Sequence, residues 1–206
     1  MAVSRRRLTL AALGFGSGLV LLAGCERAAA PLAASFKAVD ITGAEYAREL
    51  SLPDSSGRPR TLAEFKGRLV VVFFGFTQCP DVCPTTLLEL AEVKKALGPD
   101  GARVQGIFVT IDPERDTPEV LQAYVGNFGA DFIALRGSLD ETRAVAKHFK
   151  VFYSKSPGKA EGSYAMDHTA GSFVFDAKGR VRLFTRHGGG APALLQDLKL
   201  LLAEPA

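Results

Sequence analysis

The sequence predicts an α/β domain, a mixed central sheet flanked by helices and completed by a β-hairpin and a C-terminal helix. Three observations predict it. The block Leu69-Val70-Val71-Val72-Phe73-Phe74 is a continuous β-branched and aromatic run of the length of a strand buried on both faces. From there to Phe149, short apolar runs alternate with amphipathic stretches, the pattern of strands joined through helices. Asp176-Ala177-Lys178-Gly179 then links two more short apolar runs, a hairpin signal.

Along the chain, Glu49 to Leu52 reads as a short strand entering the turn Pro53-Asp54-Ser55-Ser56-Gly57, and Thr61 caps a brief turn through Leu62 to Phe65. Arg68 to Phe76 is the central strand. Leu87, Leu88, Leu90, Ala91, Val93, Lys94, Ala96 and Leu97 space out an amphipathic helix that Gly98-Pro99 ends. Arg103 to Ile111 is the next strand. Thr117-Pro118 places an N-cap before a proline at the first helical position, opening a helix through Val120, Leu121, Tyr124 and Val125. Phe132 to Leu135 is a short strand, and Leu139 to Phe149 is a helix with Asp140 or Ser138 near its start. Ser172 to Phe175 and Val181 to Phe184 form the hairpin, and Ala193 to Leu201 the last helix. A thioredoxin-like fold satisfies this order. Its chemistry is expected where the strand ending at Phe76 hands over to the helix beginning near Cys83.

The 206 residues are 47% hydrophobic and 23% charged, which suits one domain with a real core and excludes wholesale disorder. The formal charge of +3 comes from Arg5, Arg6 and Arg7; beyond residue 24 the chain carries 22 basic and 22 acidic side chains. A neutral domain has no long-range field for nucleic acid, so no nucleic-acid partner is expected. The uncharged run Leu8 to Gly24 falls short of the ~20 apolar residues of a spanning helix and is weakened by four glycines. It reads as a cleaved export signal, 1–24. Its end, Leu22-Ala23-Gly24-Cys25, resembles a bacterial lipobox, which makes Cys25 the acylated new N-terminus; an uncleaved anchor with an incidental cysteine is the alternative. Ser4-Arg5-Arg6 matches a twin-arginine signal only in part. The expected organisation is a lipoprotein signal peptide (1–24), a flexible tether (25–35) and one domain (36–206). The domain lies outside the cytoplasm, tethered to a membrane by lipid and facing the periplasm.

Two of the three cysteines remain, and both fall in Phe74-Gly75-Phe76-Thr77-Gln78-Cys79-Pro80-Asp81-Val82-Cys83-Pro84. Cysteines at i and i+4 sit about one helical turn apart, so their sulfurs can face one point. Pro84 suits a first helical turn and sets Cys83 near the positive end of the helix dipole, where thiolate is favoured. Three readings compete: a structural disulfide, a redox dithiol, or two soft ligands of a metal. A loop this short makes a bridge a weak staple. Three intervening residues, where thioredoxins have two, and the absence of tryptophan set the motif apart from an ordinary thioredoxin dithiol.

A third ligand decides between dithiol and metal, and the candidates are His148, His168 and His187. His148 sits among Lys147, Phe149 and Lys150 at a helix end, where a cation complementing the dipole is the structural explanation. His187 precedes Gly188-Gly189-Gly190 and reads as a solvated turn residue. His168, in Tyr164-Ala165-Met166-Asp167-His168-Thr169, lies on a loop that can fold over the cysteine end of the sheet. Asp167 or a backbone carbonyl could orient its ring.

Phe73 to Thr86, the stretch Val109 to Glu119 (VTIDPERDTPE) and Met166-Asp167-His168-Thr169, three separated motifs in order, resemble the SCO/SenC family of copper-binding, thioredoxin-like proteins. The resemblance spans about residues 36 to 203. It implies that Cys79, Cys83 and His168 bind copper, as Cu(I) or Cu(II). It further implies delivery of copper to the copper A centre of cytochrome c oxidase subunit II or a similar acceptor. The alternative it leaves is thiol:disulfide reduction of such a client by Cys79 and Cys83. A metallochaperone is expected more than an enzyme, with a copper donor and a thiol reductant as further partners. Two thiolates and an imidazole form a soft set that suits Cu(I), and the lack of a fourth soft ligand argues against structural zinc. Asp81, between the cysteines, is a candidate to tune their charge or to meet the partner. Asp112 to Glu119 reads as structural: a strand end, a proline-restricted loop and a helix cap.

Overall fold

A computed structural model of the chain describes residues 35–158 and 162–205. The expected signal peptide, the acylation site Cys25 and all of the expected tether but Ser35 lie outside the described residues. In chain order the strands and helices are β1 (Val39–Asp40), β2 (Ser51–Pro53), β3 (Pro59–Thr61), β4 (Leu69–Gly75), α1 (Val82–Ala96), β5 (Val104–Thr110) and α2 (Pro118–Gly126). They continue with β6 (Ile133–Leu135), α3 (Leu139–His148), β7 (Tyr153–Pro157), β8 (Tyr164–His168), β9 (Gly171–Phe175), β10 (Val181–Arg186) and α4 (Gly190–Leu202). Short 3-10 turns cover Leu62–Phe65 and Gly98–Arg103.

Six strands make the central sheet in the order β1-β10-β9-β4-β5-β6. β4, β5 and β6 run parallel, and β9 pairs antiparallel with β4 and with β10, so the sheet is mixed. A mixed sheet flanked by helices is the thioredoxin-like architecture expected from the sequence. Every residue of β4 and β5 is buried, and for β4 this is the condition its unbroken apolar run demands. On one face α1 packs against α4, and Leu90 and Leu194 line a cavity together with Val71. On the other, Phe149 at the end of α3 lies 5.0 Å from Phe74 and 5.1 Å from Phe173, an aromatic cluster of which each ring contributes ~1.5–3 kcal/mol by burial.

The helix starts follow local chemistry. The Thr117 hydroxyl accepts from Val120 N, with Pro118 as the first helical residue. Ser138, not Asp140, caps α3: its hydroxyl accepts from Glu141 N while the Glu141 carboxylate accepts from Ser138 N at 2.8 Å. α4 begins at Gly190, three residues ahead of expectation, because Pro192 falls in a first turn that needs no N–H from it. The segment expected as the His168 loop is a two-stranded sheet, β7 with β8, in which Tyr153 faces His168 and Pro157 faces Tyr164.

Candidate metal centre

Cys79 sits on the loop between β4 and α1, and Cys83 in the first turn of α1, as the motif predicts. The backbone N–H of Cys83 donates to the Cys79 sulfur at 3.4 Å, so the loop wraps over the helix start. Cys83 is fully buried and Cys79 half-buried; both are free thiols. Gly75 leaves room for this: a Cβ there would come 2.8 Å from the Cys83 sulfur and 2.9 Å from the rings of Phe73 and Phe108.

His168, the last residue of β8, brings Nε2 to 3.7 Å from the Cys83 sulfur. Its Nδ1 lies 3.0 Å from the Thr169 carbonyl; donating there assigns the proton to Nδ1 and leaves the Nε2 lone pair facing the sulfurs. The edges of Phe73 and Phe76, each with its centroid 6.0 Å away, hold the ring in a T-shaped cleft. The three potential ligand atoms of Cys79, Cys83 and His168 lie within 4.8 Å of one another, and no other such group of three occurs among the described residues.

The two thiols divide their protons unequally. Cys79 is pulled down to about 4, first by the hydrogen bond from the Cys83 thiol and further by the backbone N–H groups of Asp81 and Cys83, against the cost of burial. Cys83 is pushed well above the usual thiol range by the same hydrogen bond and by burial. At neutral pH the pair is therefore one accessible thiolate and one buried thiol.

The ring is oriented by the Thr169 carbonyl and not by Asp167, because adjacent strand residues point to opposite faces and Asp167 faces solvent. Asp81 contributes its backbone N–H to the Cys79 sulfur, while its carboxylate takes the Thr85 hydroxyl at 3.3 Å. His148 is not a cation at a helix end: its Nε2 accepts the N–H groups of Arg48 and Glu49, each at 3.1 Å, a role open only to an unprotonated nitrogen. His187 is exposed and lines a cavity of about 430 Å³ that none of the three candidate ligands touches.

Sequence reasoning missed Asp116. Buried beneath the cysteine loop, its carboxylate accepts the Thr77 N–H at 3.1 Å, the Thr77 hydroxyl at 2.6 Å and the Thr110 hydroxyl, anchoring the loop to β5. Burial raises its pKa despite these bonds. The available signal was an acid next to Thr117-Pro118, six residues beyond Thr110 at the end of an apolar strand. Soft donors of this kind and number fit a soft, thiophilic ion with few ligands, and Cys79 and His168, unlike Cys83, are only partly buried.

Comparison with known proteins bears on this geometry. A family model described as SCO1/SenC matches residues 17–203. A SCO2-like protein of Rickettsia felis is 38% identical over 64% of this chain and 65% of its own length; the chain spans less than two thirds of the length of this and other curated relatives. Among solved structures, apo Sco1 of Thermus thermophilus superimposes with a TM-score of 0.73 at 39% identity, covering 82% of this chain and 99% of that one. ScoI of Bradyrhizobium japonicum, solved with copper bound, gives a TM-score of 0.67 at 37% identity over 74% of this chain and 97% of its own.

Proposed function

The chain belongs to the SCO1/SenC family, and we propose that it carries copper through Cys79, Cys83 and His168 and delivers it to the copper A centre of cytochrome c oxidase subunit II or a similar acceptor. The observation that carries the reading is the convergence of two sulfurs and one imidazole nitrogen within 4.8 Å, on two separate segments of the chain. The copper-bound ScoI relative supports it. Copper is the cargo. The Cys79 thiolate and the unprotonated Nε2 are ready to bind, and Cys83 gives up its proton as the ion arrives. Cys79 and His168 are only partly buried, so an acceptor thiolate displaces them first, and buried Cys83 is the last to let go. Ligand-by-ligand exchange keeps the ion from solvent.

The lipoprotein signal 1–24, acylation at Cys25 and a tether to residue 35 fit the same role, holding the domain at the periplasmic face of a membrane. No helix among the described residues is long and apolar enough to cross one.

A second reading rests on the thiolate at Cys79. It would attack a client disulfide, releasing one client thiolate and forming a mixed disulfide. Cys83, once deprotonated, would then displace the second client thiolate, leaving the client reduced and Cys79–Cys83 oxidised. Titration of the reduced full chain with Cu(I) against a competing chelator separates the readings. Copper carriage predicts one Cu(I) per chain, abolished by Cys83→Ser and weakened by His168→Ala. No measurable Cu(I) binding would leave the oxidoreductase.

A further inference from the structure

The loop between β5 and α2 touches both segments that supply the ligands, and Arg115 makes the connection. Its Nη1 donates to the Gln78 side-chain oxygen at 3.1 Å and to the Tyr164 carbonyl at 2.7 Å, while Nε binds the Asp112 carboxylate. The guanidinium lies 3.7 Å from the centroid of the Tyr164 ring and 5.8 Å from that of Phe76. The Tyr164 hydroxyl closes the circuit by donating to Asp112 at 2.9 Å. Gln78 directly precedes Cys79, and Tyr164 opens β8, the strand that ends at His168.

We infer that Arg115 is a positioning residue for the copper site, a latch that holds the cysteine loop and the histidine hairpin in register. The inference rests on the copper reading above. β7 and β8 pair only with each other, and a lone two-stranded hairpin is marginal in water, so the approach of His168 depends on ties outside the ladder. An ion pair serving its own loop would need Asp112 alone; Arg115 reaches two further segments and stacks on one of them. Its planar fork suits that task, because a lysine presents a single point of charge. The neighbouring tie, Lys155 with Glu114, is about half exposed at both ends and contributes little by comparison.

A double-mutant cycle on the full chain tests this, with Cu(I) affinity read against a competing chelator. Arg115→Gln should weaken binding by about 10–100-fold, the usual loss when a group that orients a ligand is removed. In a His168→Ala background the same change should cost about twofold or less, because the ligand it positions is gone. Arg115→Lys should fail to restore the affinity. Equal losses in both backgrounds, or none in Arg115→Gln while His168→Ala is impaired, overturn the latch and leave the copper reading standing. Unchanged affinity in His168→Ala overturns both. Should Arg115→Gln fail to fold, Tyr164→Phe replaces it in the same cycle, deleting only the hydroxyl bound to Asp112, with a smaller loss expected in the His168 background and none without it.

Discussion

Cys79 and Cys83 are separated by four positions, yet their surroundings give them opposite characters. The hydrogen bond between the sulfurs puts negative charge on Cys79 and a proton on Cys83. The rate of Cys79 alkylation by iodoacetamide should therefore stay nearly constant from pH 8 to pH 6, where an ordinary thiol slows about eightyfold, and fall only as pH drops through about 4. A slope like that of a free thiol would contradict the assignment. Gly75 is the second lever: Gly75→Ala places a methyl against the Cys83 sulfur, so it should cost about 1–3 kcal/mol in thermal unfolding and lower Cu(I) affinity. At this scale the motif made the cysteine pair legible. The residues alone singled out His168 from three histidines but placed it on a loop, because periodicity did not reveal the strand that carries it. Asp167 looked like a partner for the ring by adjacency, and strand alternation turns it outward.

Elements whose local chemistry is unambiguous were legible in detail. The seven buried residues of β4, the Thr117-Pro118 cap and the Ser138 region of α3 all follow from short-range rules. β7 and β8 were not, since Tyr153-Ser154-Lys155-Ser156-Pro157 is polar and its register is set by pairing with β8, not by a buried face. β1, two exposed residues, left no pattern at all. Ser138→Ala should cost about 1 kcal/mol of stability, seen in denaturant unfolding, with Cu(I) affinity unchanged because α3 supplies no ligand. Phe149→Ala should cost about 3–5 kcal/mol, since the ring closes contacts with Phe74, Phe173 and Phe175 at once.

Across the whole molecule, the sheet delivers the cysteines at the end of parallel β4 and the histidine just ahead of antiparallel β9, so the two segments meet at one edge of the fold. That antiparallel return followed from the hairpin signal; the strand order itself depends on long-range pairing that no local rule states. Asp54 and Asp176, bound by neighbouring side chains and backbone N–H groups against the cost of burial, and Glu204, held by Arg182, have carboxyl groups below their ordinary range. Groups with lowered folded pKa values add stability that is full above the unfolded values of ~4 and lost as pH falls through the folded ones, so acid unfolding should set in below about pH 4. Cu(I) binding should raise the unfolding midpoint of the wild type, by the equivalent of about 4 kcal/mol at a thousandfold excess over Kd, and leave Cys83→Ser unmoved. The most direct measurement is X-ray absorption at the copper edge of the reduced full chain loaded with one equivalent of Cu(I). Two sulfur neighbours and one imidazole nitrogen, the nitrogen vanishing in His168→Ala, is the predicted result; a shell of sulfur alone, unchanged by that substitution, would contradict the three-ligand site.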